Sequence, residues 1–104
     1  MIESSETSLE LVKKIATQAL DGEIHLLLAC QKLSNETAKV QNLPREITVV
    51  FDAIASESDG LPIGDERKYW EPGALLEKDK EIKKYLQEVE PVLRDALEKL
   101  IALA

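Results

Sequence analysis

The feature that most constrains the fold of this sequence is an apolar seam in its last third. Its members recur at alternating intervals of four and three residues, and they are Leu75, Asp79, Ile82, Leu86, Val89, Leu93, Ala96, Leu100 and Leu103. Such a heptad repeat is typical of a helix that buries one face against other helices. Asp79 is the one polar member of the seam. The spacing predicts a long helix from about Pro72 to the C-terminus.

Pro91 lies inside this helix, yet the seam keeps its phase across the proline. The proline falls on the outermost position of the heptad, where a kink can be accommodated toward solvent. We therefore expect one long kinked helix, or two helices that meet near Glu90 without a real loop.

The length of this helix predicts self-association. About 32 helical residues extend for about 48 Å, whereas a compact domain of this size is roughly 34 Å across. The C-terminal turns should overhang, so either the chain folds back at Pro91 or a second copy covers them. Because no Gly or Asn is present to make a sharp break there, we expect a homodimer. The residues predicted at this surface are Leu86, Val89, Leu93, Leu97 and Leu100.

Two shorter helices are predicted in the first third of the chain. The first begins near Thr7 or Ser8, either of which can cap it, and ends at Asp21-Gly22, where glycine can adopt the left-handed conformation. The second runs from about Glu23 to Asn35 or a little beyond. Its first half is apolar on nearly every side, which indicates a helix at the centre of the core.

A third helix is predicted after the turn at Asn42-Leu43-Pro44, with Asn42 or Leu43 near its cap and Pro44 in its first turn. The β-branched residues in segment 46–54 would also suit a strand. We interpret the segment as helix because no second strand-like segment is present to pair with it. The prediction is a single all-α domain, residues 1–104, built as a bundle of four to five helices. Its one ordered loop spans about residues 56–71, with a short helical turn from Asp65 to Tyr69.

Composition and charge limit the classes of partner. The 104 residues include 20 acidic and 13 basic side chains, and the net charge of −7 is spread evenly. We therefore expect neither nucleic acid nor an anionic membrane as a partner. No apolar run approaches the roughly 20 residues of a membrane helix, and the first residues do not resemble a signal peptide. The single cysteine, Cys30, lies in an apolar run, which fits a reducing, cytoplasmic location.

The residues that could carry catalysis or bind metal are few. His25 has no second histidine near it, and Cys30 falls on a different helical face, so we predict a structural or surface role for His25. The acidic residues Glu57, Asp59, Asp65 and Glu66 lack the alternation of a calcium loop. They are better suited to capping helix ends. We predict no catalytic residue, no metal site and no cofactor, and we expect that the protein is not an enzyme.

The best binding candidates lie in the central loop. Arg67, Tyr69 and Trp70 belong to the residue types that most often anchor protein interfaces, although Trp70 could equally fill the gap between the loop and the last helix. The leading functional hypothesis is a protein-protein interaction or regulatory module. One alternative is a small-molecule-binding protein or minor enzyme, with Asp59, Asp65 and Arg67 at the rim of a cleft. A further alternative is an immunity-type protein that neutralises a basic toxin.

The central segment also resembles a known group of proteins. The residues that carry the resemblance are Ser56-Glu57-Ser58-Asp59, Leu61-Pro62-Ile63-Gly64, Arg67, Trp70, Pro72, Ala74-Leu75, Lys78-Asp79 and Glu81-Ile82. This pattern is similar to that of small bacterial helical proteins of unknown function, and it covers about a third of the chain. The resemblance implies a bacterial, cytosolic, helical protein. It implies no activity, cofactor or partner.

Overall fold

The architecture is all-α, as the sequence predicts. The computed structural model describes the backbone of residues 5–103 and the side chains of residues 8–103. Within that range it contains no strand. Its elements are α1 Ser5–Leu20, α2 Leu26–Thr37, α3 Arg45–Glu57, a 3₁₀ helix Gly64–Tyr69 and α4 Pro72–Ile101. None of these helices is both long and apolar enough to cross a membrane.

The four α-helices surround one core. α1 and α3 each pack against both α2 and α4, so the helices form a ring. As predicted, the first half of α2 is central, since Leu27, Ala29, Cys30 and Leu33 are completely buried. The other α-helical residues of the core are Val12, Ile15, Ala16, Ala19, Leu26, Ile47, Phe51, Ile54, Ile82, Leu93, Ala96, Leu97 and Leu100.

The ends of α1 and α2 differ slightly from the prediction. α1 already contains Thr7 and Ser8, so neither residue is its cap. Its C-terminal end is as expected, because Gly22 has a φ of +81°. α2 starts at Leu26 rather than near Glu23 because His25 occupies the N-cap position.

Segment 46–54 is helix, which decides between the two interpretations of its β-branched residues. α3 directs Ile47, Phe51 and Ile54 into the core. Pro44 itself takes the N-cap position, one residue after Leu43 and two after Asn42, the caps that we expected. The turn before it is made by Asn42, whose φ is +63°, a value that asparagine tolerates better than most residues.

α4 is a single helix of 30 residues that continues through the exposed Pro91. Its length of about 45 Å is close to the longest dimension of the molecule, 47 Å. The helix does extend beyond its neighbours, but at the opposite end from the one predicted. Its C-terminal turns are covered by the rest of the chain, and the Lys13 ammonium donates a hydrogen bond to the carbonyl of Leu103.

The projecting part of α4 is its N-terminal end. α3 packs along the C-terminal part of α4. Near the end of α4, the pKa of Lys99 is raised chiefly by Asp95 of the same helix and then by Glu46, which lies in the first turn of α3. At the other end of α3, Glu57 accepts a hydrogen bond from the Tyr85 hydroxyl at 2.6 Å. None of the α4 residues before Ile82 is buried. The ten residues 72–81, about 15 Å of helix, therefore lie outside the buried part of α4, and we call them its projecting end.

This orientation corrects the predicted self-association surface. Leu93, Leu97 and Leu100 are at most 1% exposed and belong to the core of the same chain. Leu86 and Val89 are half-buried against that core. The heptad seam identified the buried face of α4 correctly. It did not identify which part of that face the other helices cover.

Candidate functional site

A cleft with a volume of about 450 Å³ opens between α2 and α4, beside the 3₁₀ helix and the loop that precedes it. Five apolar side chains line it: Leu28, Pro62, Ile63, Ile82 and Leu86. Gly64 contributes backbone, and the ionisable side chains in the lining are His25, Arg67, Asp79 and Lys83. Sites for small molecules commonly have volumes of about 300–1,000 Å³ and a mainly apolar lining with a few polar groups.

The wall of the cleft is formed by an ordered loop, as predicted for residues 56–71. Ser58 is completely buried, and its hydroxyl donates to the carbonyl of Ile54 at 2.8 Å. Farther along, Ile63 is buried and its backbone N–H donates to the Glu66 carboxylate at 3.1 Å. These bonds fix the loop at both ends, so Pro62 and Ile63 line the cleft in a defined arrangement.

Gly64 marks the point where the loop turns into the 3₁₀ helix. Its φ of +83° lies in the left-handed region, which disfavours residues with a Cβ. A Cβ at this position would also lie 3.3 Å from a methyl carbon of Leu28, a tight contact. Glycine therefore allows the loop to approach α2 closely. Gly60 lies in the turn that the Leu61 N–H closes by donating to the carbonyl of Ser58 at 3.0 Å, and it has no positive φ and no atom within 4 Å of a Cβ at that position.

An ion pair holds the 3₁₀ helix to the projecting part of α4. The two terminal nitrogens of Arg67 donate to the two carboxylate oxygens of Asp79, at 2.7 and 3.0 Å. One of these nitrogens also donates to the carbonyl of Pro62 at 3.2 Å. The hydrogen bonds from Arg67 lower the pKa of Asp79, and those to Asp79 raise the pKa of Arg67. The pair explains why an acid occupies a seam position: Asp79 contacts an arginine rather than an apolar helix.

His25 combines a capping role with a place in the cleft. Its Nδ1 accepts a hydrogen bond from the backbone N–H of Leu27 at 3.1 Å, which caps α2. Partial burial, followed by the positive charge of Arg67, lowers the pKa of His25. Both effects favour the neutral ring, and because Nδ1 accepts, Nε2 carries the proton of that neutral form. The structural role predicted for His25 is confirmed as a helix cap.

The electrostatics of the cleft differ from those of the whole chain. The lining contains two cations, Arg67 and Lys83, and one carboxylate, Asp79. With His25 neutral, its formal charge is +1, whereas the chain carries −7. The ionisable side chains of the lining are therefore more cationic than the chain as a whole.

Of the five residues predicted to bind a partner, Arg67 alone lines the cleft. Asp59 and Asp65 are exposed and lie outside its lining. Tyr69 is 81% exposed, and Trp70 is half-buried at the end of the 3₁₀ helix, so one part of the indole packs and another contacts water. The sequence did contain a signal for the cleft, namely a lone acid in the α4 seam and an arginine in the loop before it.

Two other features lie outside the cleft. Cys30 is buried, its thiol donates to the carbonyl of Phe51, and burial raises its pKa to about 12, so it packs as an inert thiol. On the projecting part of α4, Leu76 is 67% exposed.

Among the described residues, no three His, Cys, Asp or Glu side chains are grouped as a metal site requires.

Comparisons of the chain with family models, with curated proteins and with solved structures found no match. The resemblance of the central segment to small bacterial helical proteins therefore stays a prediction. What the cleft can bind follows from its own shape and charge.

Proposed function

We propose that this chain is a small, non-enzymatic binding module that holds a compact, partly apolar ligand in the cleft between α2, the 3₁₀ helix and α4. One observation carries the proposal: a 450 Å³ cleft has five apolar side chains and a small set of ionisable groups in its lining. This arrangement supports the small-molecule alternative over an interface centred on Trp70, because Trp70 and Tyr69 do not line the cleft.

The physical basis is removal of apolar surface from water. Leu28 and Leu86 are only half-buried in the free protein, and they lie beside the buried Pro62, Ile63 and Ile82. A ligand that covers them gains about 25 cal/mol for each Å² of apolar surface that it buries. Side chains of the core already fix the backbone on both sides, so little ordering is needed on binding.

The proposal is tested with the neutral apolar dye Nile red, whose emission increases and shifts to the blue in an apolar site. We expect saturable binding to the intact chain. Leu28→Trp places a large ring in the cleft and should abolish most of that signal. Leu76→Trp introduces the same ring on α4 outside the lining and should leave it unchanged. Absence of saturable dye binding to the intact chain, or equal binding by both variants, would contradict the proposal.

A second candidate function, protein-protein interaction with self-association as a homodimer, is supported by the exposed apolar residues near the projecting end. Leu76 and Tyr69 keep most of their surface in water. Leu75 is half-buried and lies one turn from Asp79 along the seam. This surface would replace the predicted one, because Leu93, Leu97 and Leu100 belong to the core of the chain.

Solution mass measured by sedimentation tests this candidate. If the projecting end forms a dimer, the intact chain should sediment as a dimer at high micromolar concentration and Leu76→Glu should be monomeric. The matched control Leu11→Glu changes another exposed leucine, 44% exposed on α1, and should remain dimeric. A charge at Leu93 could not test the idea, because that side chain is completely buried and its substitution would unfold the monomer. A monomeric intact chain would exclude this candidate.

A bacterial, cytoplasmic setting is part of the proposal. It is supported by the reduced thiol of Cys30, packed in the core, and by the resemblance of the central segment. Measurement of the thiol content of the protein from its native source would test the reducing compartment.

A further inference from the structure

We infer that the ligand of the cleft is a small amphipathic anion, a free monocarboxylate with an apolar tail, whose carboxylate pairs with the Lys83 ammonium and accepts a hydrogen bond from His25 Nε2. This inference rests on the proposed function, since it names the class of ligand for the same cleft. Four observations support it: the position of Lys83, the commitment of Arg67, the tautomer of His25 and the net charge of the chain.

Lys83 is an exposed residue of α4 that lines the cleft and follows the apolar Ile82 in the chain. Its neighbour Ile82 is 7% exposed and contributes to the apolar wall, while Lys83 itself is exposed at the same level of α4. Leu86 continues the apolar wall one turn farther on. A ligand with its tail on Ile82 and Leu86 would therefore have its head beside the Lys83 ammonium.

The other cation of the lining is already engaged. The two terminal nitrogens of Arg67 donate to Asp79 and to the carbonyl of Pro62, so three of its five N–H donors are engaged and its charge is already paired. Lys83 forms no ion pair with any carboxylate of the described residues. By contrast, the two lysines earlier in α4 that lie near acids, Lys78 and Lys80, each pair with a glutamate three residues away. Lys83 is thus the cation of the cleft that can pair with a ligand without breaking an ion pair within the chain.

His25 supplies a neutral donor. Because Nδ1 accepts from the backbone of Leu27, the ring proton is on Nε2. A neutral imidazole can donate to a carboxylate without adding a second full charge to a site where Arg67 is nearby. The carboxylate would then accept one hydrogen bond from the charged ammonium and one from the neutral imidazole, and both are charge-assisted because the acceptor is ionised.

The net charge of the chain limits the charge of the ligand. At −7 the protein repels polyanions and anionic membrane surfaces over a Debye length. The +1 of the cleft offsets one negative charge. A monoanion therefore fits, whereas a nucleotide or a phosphorylated lipid surface would carry too much negative charge.

The inference is tested by calorimetric titration of the full chain with octanoate, 1-octanol and octylamine, below their aggregation concentrations. These probes share one tail and differ in the charge of the head. We expect octanoate to bind more tightly than 1-octanol, octylamine to bind least, and added salt to weaken octanoate alone. Octanol binding as tightly as octanoate would overturn the inference and leave the proposed function intact. If neither octanoate nor 1-octanol bound, the result would overturn the inference and the proposed function together.

Two variants on the same helix locate the head group. Lys83→Gln should weaken octanoate binding by about tenfold, the usual size of a charge-assisted hydrogen bond, and leave 1-octanol unchanged. Lys84→Gln removes the adjacent charge, which lies outside the lining, and should have little effect on either probe. Both residues are exposed, so both variants should fold. Equal loss of octanoate binding in the two variants would indicate only a general charge effect and would overturn the assignment to Lys83. Binding to vesicles of phosphatidylglycerol in place of octanoate would also overturn it.

Discussion

The two halves of α4 carry the same heptad seam but lie in different environments. In the C-terminal half, Leu93, Leu97 and Leu100 are completely or almost completely buried. In the N-terminal half, Leu75 is only half-buried, Leu76 is 67% exposed, and the polar Asp79 occupies a seam position. One helix therefore serves as core at one end and as surface at the other.

The difference comes from the lengths of the neighbouring helices. α1 has 16 residues and α3 has 13, so they extend for about 24 Å and about 20 Å, whereas α4 extends for about 45 Å. Apolar packing cannot cover all of α4. The chain places the 3₁₀ helix beside the uncovered part and holds it with the Arg67–Asp79 pair. Because this contact is polar, the space behind it is left as the cleft.

The largest expected effect is the difference between two leucines of α4. Leu93→Ala removes a completely buried side chain and should lower the free energy of unfolding by about 3 kcal/mol. Leu76→Ala removes an exposed one and should change it by less than about 0.5 kcal/mol. Urea denaturation followed by circular dichroism measures both values.

Comparable losses for the two leucines would break the comparison. They would mean that the projecting end is covered in solution, and the loss at Leu76 should then depend on protein concentration, as it does for an oligomer. A loss at Leu76 that is independent of concentration would contradict the exposure of this end.

Much of the fold could be predicted from the sequence, because the spacing of apolar residues and the positions of Gly, Pro and Asn report local structure directly. The spacing of apolar residues identified the α-helices, and Gly22 ended α1 as expected. The same spacing left open whether α4 would be one helix or two at Pro91, and the structure has one. The position of the overhang could not be predicted, because a seam shows which face is apolar and not which neighbours lie against it. The error at Leu93, Leu97 and Leu100 has this origin.

The candidate site was less predictable than the fold. Arg67 was identified from its residue type, but its partner Asp79 was noticed only as an irregularity of the seam. The apolar lining is assembled from α2, the loop and α4, which are distant in sequence. Residues such as Leu28 and Ile82 look like ordinary core positions in the sequence, and only the packing of the helices leaves a space between them.

A smaller effect on stability is expected at the two glycines of the loop. Their comparison tests how the loop is held beside the N-terminal half of α4. Gly64→Ala forces a Cβ into the left-handed region and toward Leu28, and it should cost about 1–2 kcal/mol of stability. Gly60→Ala meets no neighbouring atom and has no positive φ, so it should be neutral or stabilise by about 0.5 kcal/mol.

Urea denaturation measures the stability of both glycine variants, and the fluorescence of the single tryptophan, Trp70, reports the position of the 3₁₀ helix. We expect a shifted Trp70 spectrum in Gly64→Ala and an unchanged one in Gly60→Ala. If the two variants had the same stability and spectrum, the loop would not be held against α2 as described.

The smallest expected effect is a dependence of stability on pH at the cleft end of the molecule. The pKa of His25 is lowered in the folded chain, chiefly by burial and then by Arg67, whereas in the unfolded chain it is near 6.5. The unfolded state therefore binds more protons in the interval below 6.5, and stability decreases as the pH falls through it. Arg67, Asp79 and Lys83 also line the cleft around this ring, and the lowered pKa of Asp79 keeps that carboxylate ionised over this interval.

His25→Asn isolates this contribution, because asparagine is a good N-cap that does not titrate. Between pH 7.5 and pH 5.5, the intact chain should lose more stability in urea than His25→Asn does. The difference should be less than about 1 kcal/mol, the usual value of one N-cap hydrogen bond. Hydrogen exchange should localise the loss to the first turn of α2 and leave the amides around Leu97 unaffected, since no histidine lies near the C-terminal half of α4. Equal pH dependence in the two proteins would show that the cap at His25 is not linked to protonation.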